Sequence, residues 1–225
     1  MDKKESPKLK KEKTDSLSAP AKIPGISAKA FGVIKFILGI LLLPFVYSFT
    51  IAFLDEFALI DQSAQNCFWS GAVSLLLVYL FIWEPAIIYA KGQKLLEILF
   101  TFFRPLVRVA PYLLPIYTLL LFALYGIIFL FDKSQSLLNT FIFLTGFSMA
   151  LHLVFSAKTL RSKQGDFLKG NYIFGFSFVY IINLLVFSFC VNLIFAKFSF
   201  VNFSNNSFQI AKGIFSAIFN QLFVP

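Results

Sequence analysis

Charge is scarce in this 225-residue sequence: 14% of it is Asp, Glu, Lys or Arg, against about 25% in an average soluble domain. Histidine is scarcer still, with one residue, His152, in the whole chain. A single imidazole makes neither a zinc site, which needs three or four ligands, nor a triad. The two cysteines, Cys67 and Cys190, sit in apolar runs without metal-type spacing, so they read as membrane-buried thiols and carry no information on redox compartment. Walker loops, dinucleotide fingerprints, Gly-x-Ser-x-Gly elbows and Cys-x-x-Cys pairs are missing, as is an obvious internal repeat of the transporter kind.

What fills the space is hydrocarbon. Apolar residues make up 58% of the chain, 32 of the residues being Phe, and the mean hydropathy is +0.80. The phenylalanine excess reads as compositional bias rather than function. Backbone polar groups in a bilayer must be satisfied internally, so a chain this apolar is expected to be all-α and polytopic. Five runs reach the roughly 20 residues needed to cross about 30 Å of hydrocarbon: 32–54, 67–90, 112–131, 137–157 and 172–196.

The formal charge of +9 would suggest nucleic acid in a soluble domain, but its distribution gives a different account, and no specific nucleic-acid binding is expected. Residues 1–30 form a polar, lysine-rich stretch that cannot pack a core and reads as a disordered basic tail. It is too long for a signal peptide, and the next apolar run shows no cleavage motif, so the first span is expected to stay in the mature protein. Nine basic residues lie in that tail and at Lys35. Four lie in 91–111 and four in 158–171, whereas the remaining loops and the C-terminus hold only Lys133, Lys197 and Lys212. Sides alternate at every crossing, which predicts a cytoplasmic N-terminus and an external C-terminus, in a cell membrane that is most simply a bacterial inner membrane.

Two amphipathic segments interrupt the apolar pattern. The first, 92–104, carries Gln93, Glu97, Thr101 and Arg104 at steps of 4, 4 and 3, a polar stripe that predicts a cytoplasmic elbow helix between two spans. The second lies in 198–225. Phe208, Ala211, Phe215, Ile218 and Leu222 oppose Gln209, Lys212, Ser216 and Asn220, with Asn205, Asn206 and Ser207 as N-cap candidates, which predicts a helix on the outer interface. The sequons at Asn202 and Asn205 are short enough to occur by chance.

An ionisable or amide side chain at membrane depth is a functional candidate by default. Lys35 lies one turn inside the first span and can snorkel. Glu84 either pairs with a basic residue of the elbow or marks a proton or ion path. His152 is expected to hydrogen-bond a neighbouring helix, and Asn183 and Asn192 to bridge helices.

The elbow also carries a resemblance. Gly92-Gln93-Lys94-Leu95-Leu96-Glu97-Ile98-Leu99-Phe100 resembles, in register, the Gly-His-Glu-Leu-Thr-His-Ala-Leu-Phe helix of bacterial site-2-protease-like membrane zinc metalloproteases. Ala110 to Thr118, then Gly146-Phe147 through His152, Thr159-Leu160 and Gln164-Gly165-Asp166, are similar to later segments of that family, over roughly 67–195. The resemblance implies a helix on which two histidines four apart bind zinc and a glutamate activates the bound water. Here Gln93 and Glu97 stand at the histidine positions and Lys94 at the glutamate position, so of the implied zinc ligands only the later carboxylate has a counterpart, at Asp166. A neutral amide is a poor zinc ligand, and a charged ammonium has no lone pair with which to act as base. No catalytic residue, metal or cofactor is therefore expected.

The expectation is a non-catalytic integral membrane protein that acts by interaction: a scaffold, accessory or assembly subunit, in its specific form a pseudoprotease. Its partners are the lipid bilayer, anionic lipid or an acidic protein at the tail, and other membrane subunits. The alternative is a transporter or channel component with Glu84, His152, Asn183 and Asn192 lining one path. An active zinc protease is the remaining reading.

Overall fold

A computed structural model of the chain describes residues 28–102, 110–162 and 171–223. The disordered-tail expectation for residues 1–27 and the Asp166 position lie outside these residues, as does Arg104. Seven helices are described end to end, besides a helical turn at 110–113: α1 Ala28–Phe57, α2 Gln62–Phe81, α3 Ala86–Leu99, α4 Ile116–Ile128, α5 Gln135–Ser162, α6 Tyr172–Ile194 and α7 Phe200–Phe223. Four of them, α1, α2, α5 and α6, are long and apolar enough to cross a membrane. The chain is a polytopic helical membrane protein.

Two expected spans come out differently, and proline explains both. The run 67–90 is broken: α2 starts earlier, at Gln62, and ends at Phe81, and Ile82 to Pro85 are not helical. Pro85 has no N–H to donate and disfavours helical backbone at Glu84 before it. It then precedes the first residue of α3, which begins at Ala86 rather than Gly92 and ends at Leu99, leaving Thr101 in a turn. The run 112–131 shortens to α4 at 13 residues, about 20 Å at 1.5 Å per residue, because Leu114 and Pro115 interrupt the chain before it.

Contacts between side chains give the helix directions. Tyr79 packs on Phe155 near one end of α2, and Phe68 lies beside Gly146 farther back, so α2 and α5 run parallel. Gly39 meets Phe174 and the Phe53 ring packs at a tilt on Phe187, so α1 and α6 also run parallel, opposite in sense to α2 and α5. Two parallel neighbours need a return between them. The short α4 supplies it, pairing Thr118 with Ser148 and Phe122 with Phe141, antiparallel to α5. The main core is aromatic: Phe53, Phe57, Phe68, Phe187, Phe198 and Phe203 belong to one buried cluster.

The C-terminal helix also departs from expectation. It begins at Phe200, seven residues before Ser207, so Asn205, Asn206 and Ser207 lie within it and do not cap it. Ser199 does the capping, its hydroxyl accepting the Asn202 amide at 3.2 Å. The packed face is Phe203, Ser207 and Ala211, while Phe208, Ile218 and Leu222 are exposed. This face lies on α1, with Phe203 against Phe49 and Phe215 against Phe45.

Candidate functional site

The break at Pro85 turns α3 back onto α4 and α5, and three hydroxyl groups, two of them buried, tie this corner together. The Tyr117 hydroxyl on α4 donates to the Ile88 carbonyl on α3 at 2.6 Å. Gly92 leaves room for it: a Cβ there would come within 2.7 Å of the Tyr117 ring. Thr118 and Ser148 bond at 2.8 Å, and Ser148 also donates to the Thr145 carbonyl. Since that uses the Ser148 proton, Thr118 is the donor between the two.

From this corner a polar chain runs into α5. The Gln93 amide donates to the Tyr89 hydroxyl at 2.9 Å, one helical turn away. Tyr89 meets Ser156 at 3.0 Å. His152 Nε2 lies 3.1 Å from the Tyr112 carbonyl and 3.3 Å from Ser156 Oγ. A carbonyl has no proton to give, so Nε2 carries one and shares it between the carbonyl and Ser156. Ser156 then accepts from His152, and between Tyr89 and Ser156 either hydroxyl can donate. Burial pushes the Tyr89 phenol up to about 12, although its bonds with Ser156 and Gln93 act in the opposite direction. Beside this chain lies a cavity of about 10 Å³, lined by Tyr89, Gln93, Tyr117, Ser148 and His152 among others. That is room for one water molecule.

The resemblance positions are not brought together. Gln93 is turned inward onto Tyr89, while Lys94 and Glu97 are exposed. Among the described residues no three His, Cys, Asp or Glu side chains gather to hold a metal. Chemically the corner offers hydroxyls, one amide and one imidazole, a set suited to hydrogen bonding between helices.

The four intramembrane candidates are equally dispersed. Glu84 forms an ion pair with Lys158 on α5, not with a basic residue of the elbow. Both lie at the same end of the bundle as the start of α1. Asn183 is wholly buried on α6; its amide donates to the Val179 carbonyl at 2.8 Å, and its Oδ1 has no partner among the described residues. Asn192 works at the opposite end, where its Oδ1 accepts the Phe200 amide at 3.0 Å and so closes the N-terminus of α7. Of the four, His152 alone borders the cavity.

Sequence reasoning passed over Glu56. It lies buried at the end of α1, and its carboxylate accepts the Ser199 amide at 3.1 Å, a second side-chain acceptor on the start of α7. The nearby Lys197–Asp61 pair at 2.8 Å holds the same corner from the exposed side. Tyr89 and Ser156 were also passed over, although each stands four residues from a singled-out residue, Gln93 and His152. That i, i+4 spacing was the available signal. No protein-family model, characterised protein or solved structure matches the chain.

Proposed function

We propose that this chain is a non-catalytic membrane protein that works by holding other membrane components: a scaffold or accessory subunit. One observation carries the reading. Polar side chains that would have to converge for transport or catalysis are instead spent one by one on bonds within the fold, three between elements and one along α3. Glu84 goes to Lys158, Gln93 to Tyr89, His152 to the Tyr112 carbonyl and Asn192 to the Phe200 amide. The cavity beside them admits about one water. In this reading the likeness to site-2-protease-like enzymes is a frame retained with its reactive positions replaced, a pseudoprotease.

The orientation proposed from the basic residues puts the N-terminal lysines in the cytoplasm, against anionic lipid or an acidic protein, and the C-terminus outside. Deleting residues 1–25 should leave insertion intact and weaken association with vesicles containing anionic lipid. The test of the function is the native mass. Extracted in mild detergent from its own membrane, the protein should run as a discrete complex larger than its 25.5 kDa chain plus micelle. A single chain at every detergent concentration tested would remove the reading.

A further inference from the structure

The last helix presents two unlike sides. Phe203, Ser207 and Ala211 are buried against the bundle. Asn202, Asn205, Gln209, Lys212, Ser216 and Asn220, at steps of 3, 4, 3, 4 and 4, are all exposed and run down the opposite side as one polar stripe. Val201, Phe208 and Phe219, also exposed, flank it.

The depth of this stripe decides what it needs. The start of α7 is held at the outer end of α1 by Glu56 and Asn192. From there the helix passes α1 in the opposite sense, and Phe215 reaches Phe45 with ring centres 5.5 Å apart. Phe45 lies eleven residues before Glu56, roughly 16 Å along the helix, or about half of the 30 Å hydrocarbon layer. A helix lying flat in the headgroups would not come this deep. At membrane depth, amides and ammonium groups face a bundle interior, a partner or a water-filled space, because lipid tails satisfy none of their hydrogen bonds.

The geometry points to the α7 stripe as a docking face for a transmembrane helix of a different protein, one that presents a carboxylate opposite Lys212 amid amide, hydroxyl or small side chains. Among the described residues the ion pairs are Glu84–Lys158 and Asp61–Lys197, so no carboxylate of those residues answers Lys212. Two copies joined through this stripe would bring two Lys212 side chains onto one seam, and like charges there repel. Amide and hydroxyl groups supply hydrogen bonds to the partner helix. Gly213, beside Lys212, has open space where a Cβ would be and permits close backbone approach. The inference rests on the interaction reading above and gives it a surface and a partner chemistry.

The test uses the full-length chain in its native membrane, with a benzophenone amino acid at Gln209 or Ser216, and at Leu77 on the exposed face of α2 for comparison. From Gln209 and Ser216 we expect one discrete protein adduct, whose cross-linked peptide is an apolar helix containing Asp or Glu. Lys212→Glu should cut its yield at least tenfold and Lys212→Arg should preserve it, with the unfolding midpoint of both purified variants unchanged. An adduct of twice the chain's mass, or adducts indifferent to Lys212→Glu, would overturn the proposal. So would rapid labelling of Gln209→Cys by a membrane-impermeant maleimide, in a variant lacking Cys67 and Cys190, since the stripe would then face water. Protein adducts from Leu77 alone remove the stripe and leave the interaction reading standing. Lipid adducts alone at all three positions, with a single-chain native mass, remove both.

Discussion

Gly71 of α2 and Gly146 of α5 interlock across a seam where the two helices touch backbone to backbone. A methyl group on Gly71 would overlap the Phe143 carbonyl oxygen, and one on Gly146 would overlap that of Phe68. Small residues at a membrane helix crossing allow this approach, and the close packing stands in for the hydrophobic drive that lipid removes. The obstacle to a larger side chain is main chain, which no rotamer change relieves. Gly71→Ala and Gly146→Ala should each therefore destabilise by about 3 kcal/mol, at the upper end for overpacking. Gly126→Ala, where a Cβ meets nothing within 4 Å, should be neutral or stabilising by up to about 1 kcal/mol through helix propensity. Unfolding in detergent micelles measures all three. Equal behaviour of Gly71→Ala and Gly126→Ala would refute the interlock.

How far such a seam can be read from sequence depends on what carries the signal. The long apolar runs of α1, α5 and α6 are legible because bilayer thickness sets their length. The ends of α2 and α4 are not, because hydropathy continues through Trp83, Pro85, Leu114 and Pro115 while the backbone does not. Proline was the visible cue there, and hydropathy outweighed it. The parallel pairing of α2 with α5 depends on contacts between residues far apart in sequence, such as Phe68 and Gly146, 78 positions apart, and no local pattern encodes them. At the candidate site Gln93 and His152 stood out as polar residues in apolar surroundings. Tyr89 and Ser156, which join them, are ordinary in an aromatic-rich membrane helix and become visible only once α3 folds against α5.

The closed start of α7 gives a second prediction. Glu56, Asn192 and Ser199 each supply one acceptor to the amides of Ser199, Phe200 and Asn202 respectively. Asn192→Ala and Ser199→Ala should each cost about 1 kcal/mol, the usual value of a helix cap. Glu56→Ala should cost more, about 1–3 kcal/mol, because it also removes a side chain that is itself buried, whose carboxylate is a stronger acceptor than an amide or hydroxyl oxygen. Hydrogen exchange at Ser199 to Phe203 should accelerate in all three variants while α2 stays protected. Faster exchange throughout the protein would instead mean that the residues support the bundle at large.

The Glu84–Lys158 pair calls for the opposite expectation. Both side chains are about half exposed, at 45% and 52%, and solvent and salt screen such pairs. Glu84→Gln should leave the unfolding midpoint almost unchanged, and raising salt should shift variant and wild type alike. A large loss of stability would show that this end of α5 is buried by something absent from the isolated chain.

Tyr89 offers a test in pH. Its phenol, normally 10.0, is raised to about 12 by burial between α3 and α5. Below pH 10 both folded and unfolded chains keep the proton, and the full contribution is present. Between pH 10 and about 12 the unfolded chain gives it up while the folded chain holds it, so stability falls as pH rises. Two units at about 1.4 kcal/mol each amount to roughly 3 kcal/mol across that window. Tyr89→Phe should begin lower, by about 1–3 kcal/mol at pH 8, because the Gln93 amide and Ser156 lose their partner. It should then lose less stability than wild type toward pH 12. The difference between the two unfolding curves cancels the lysines and other tyrosines that titrate in the same range. Curves that stay parallel from pH 8 to 12 would show that the hydroxyl reaches water in the folded protein, and that the polar chain from Gln93 to His152 is open at Tyr89.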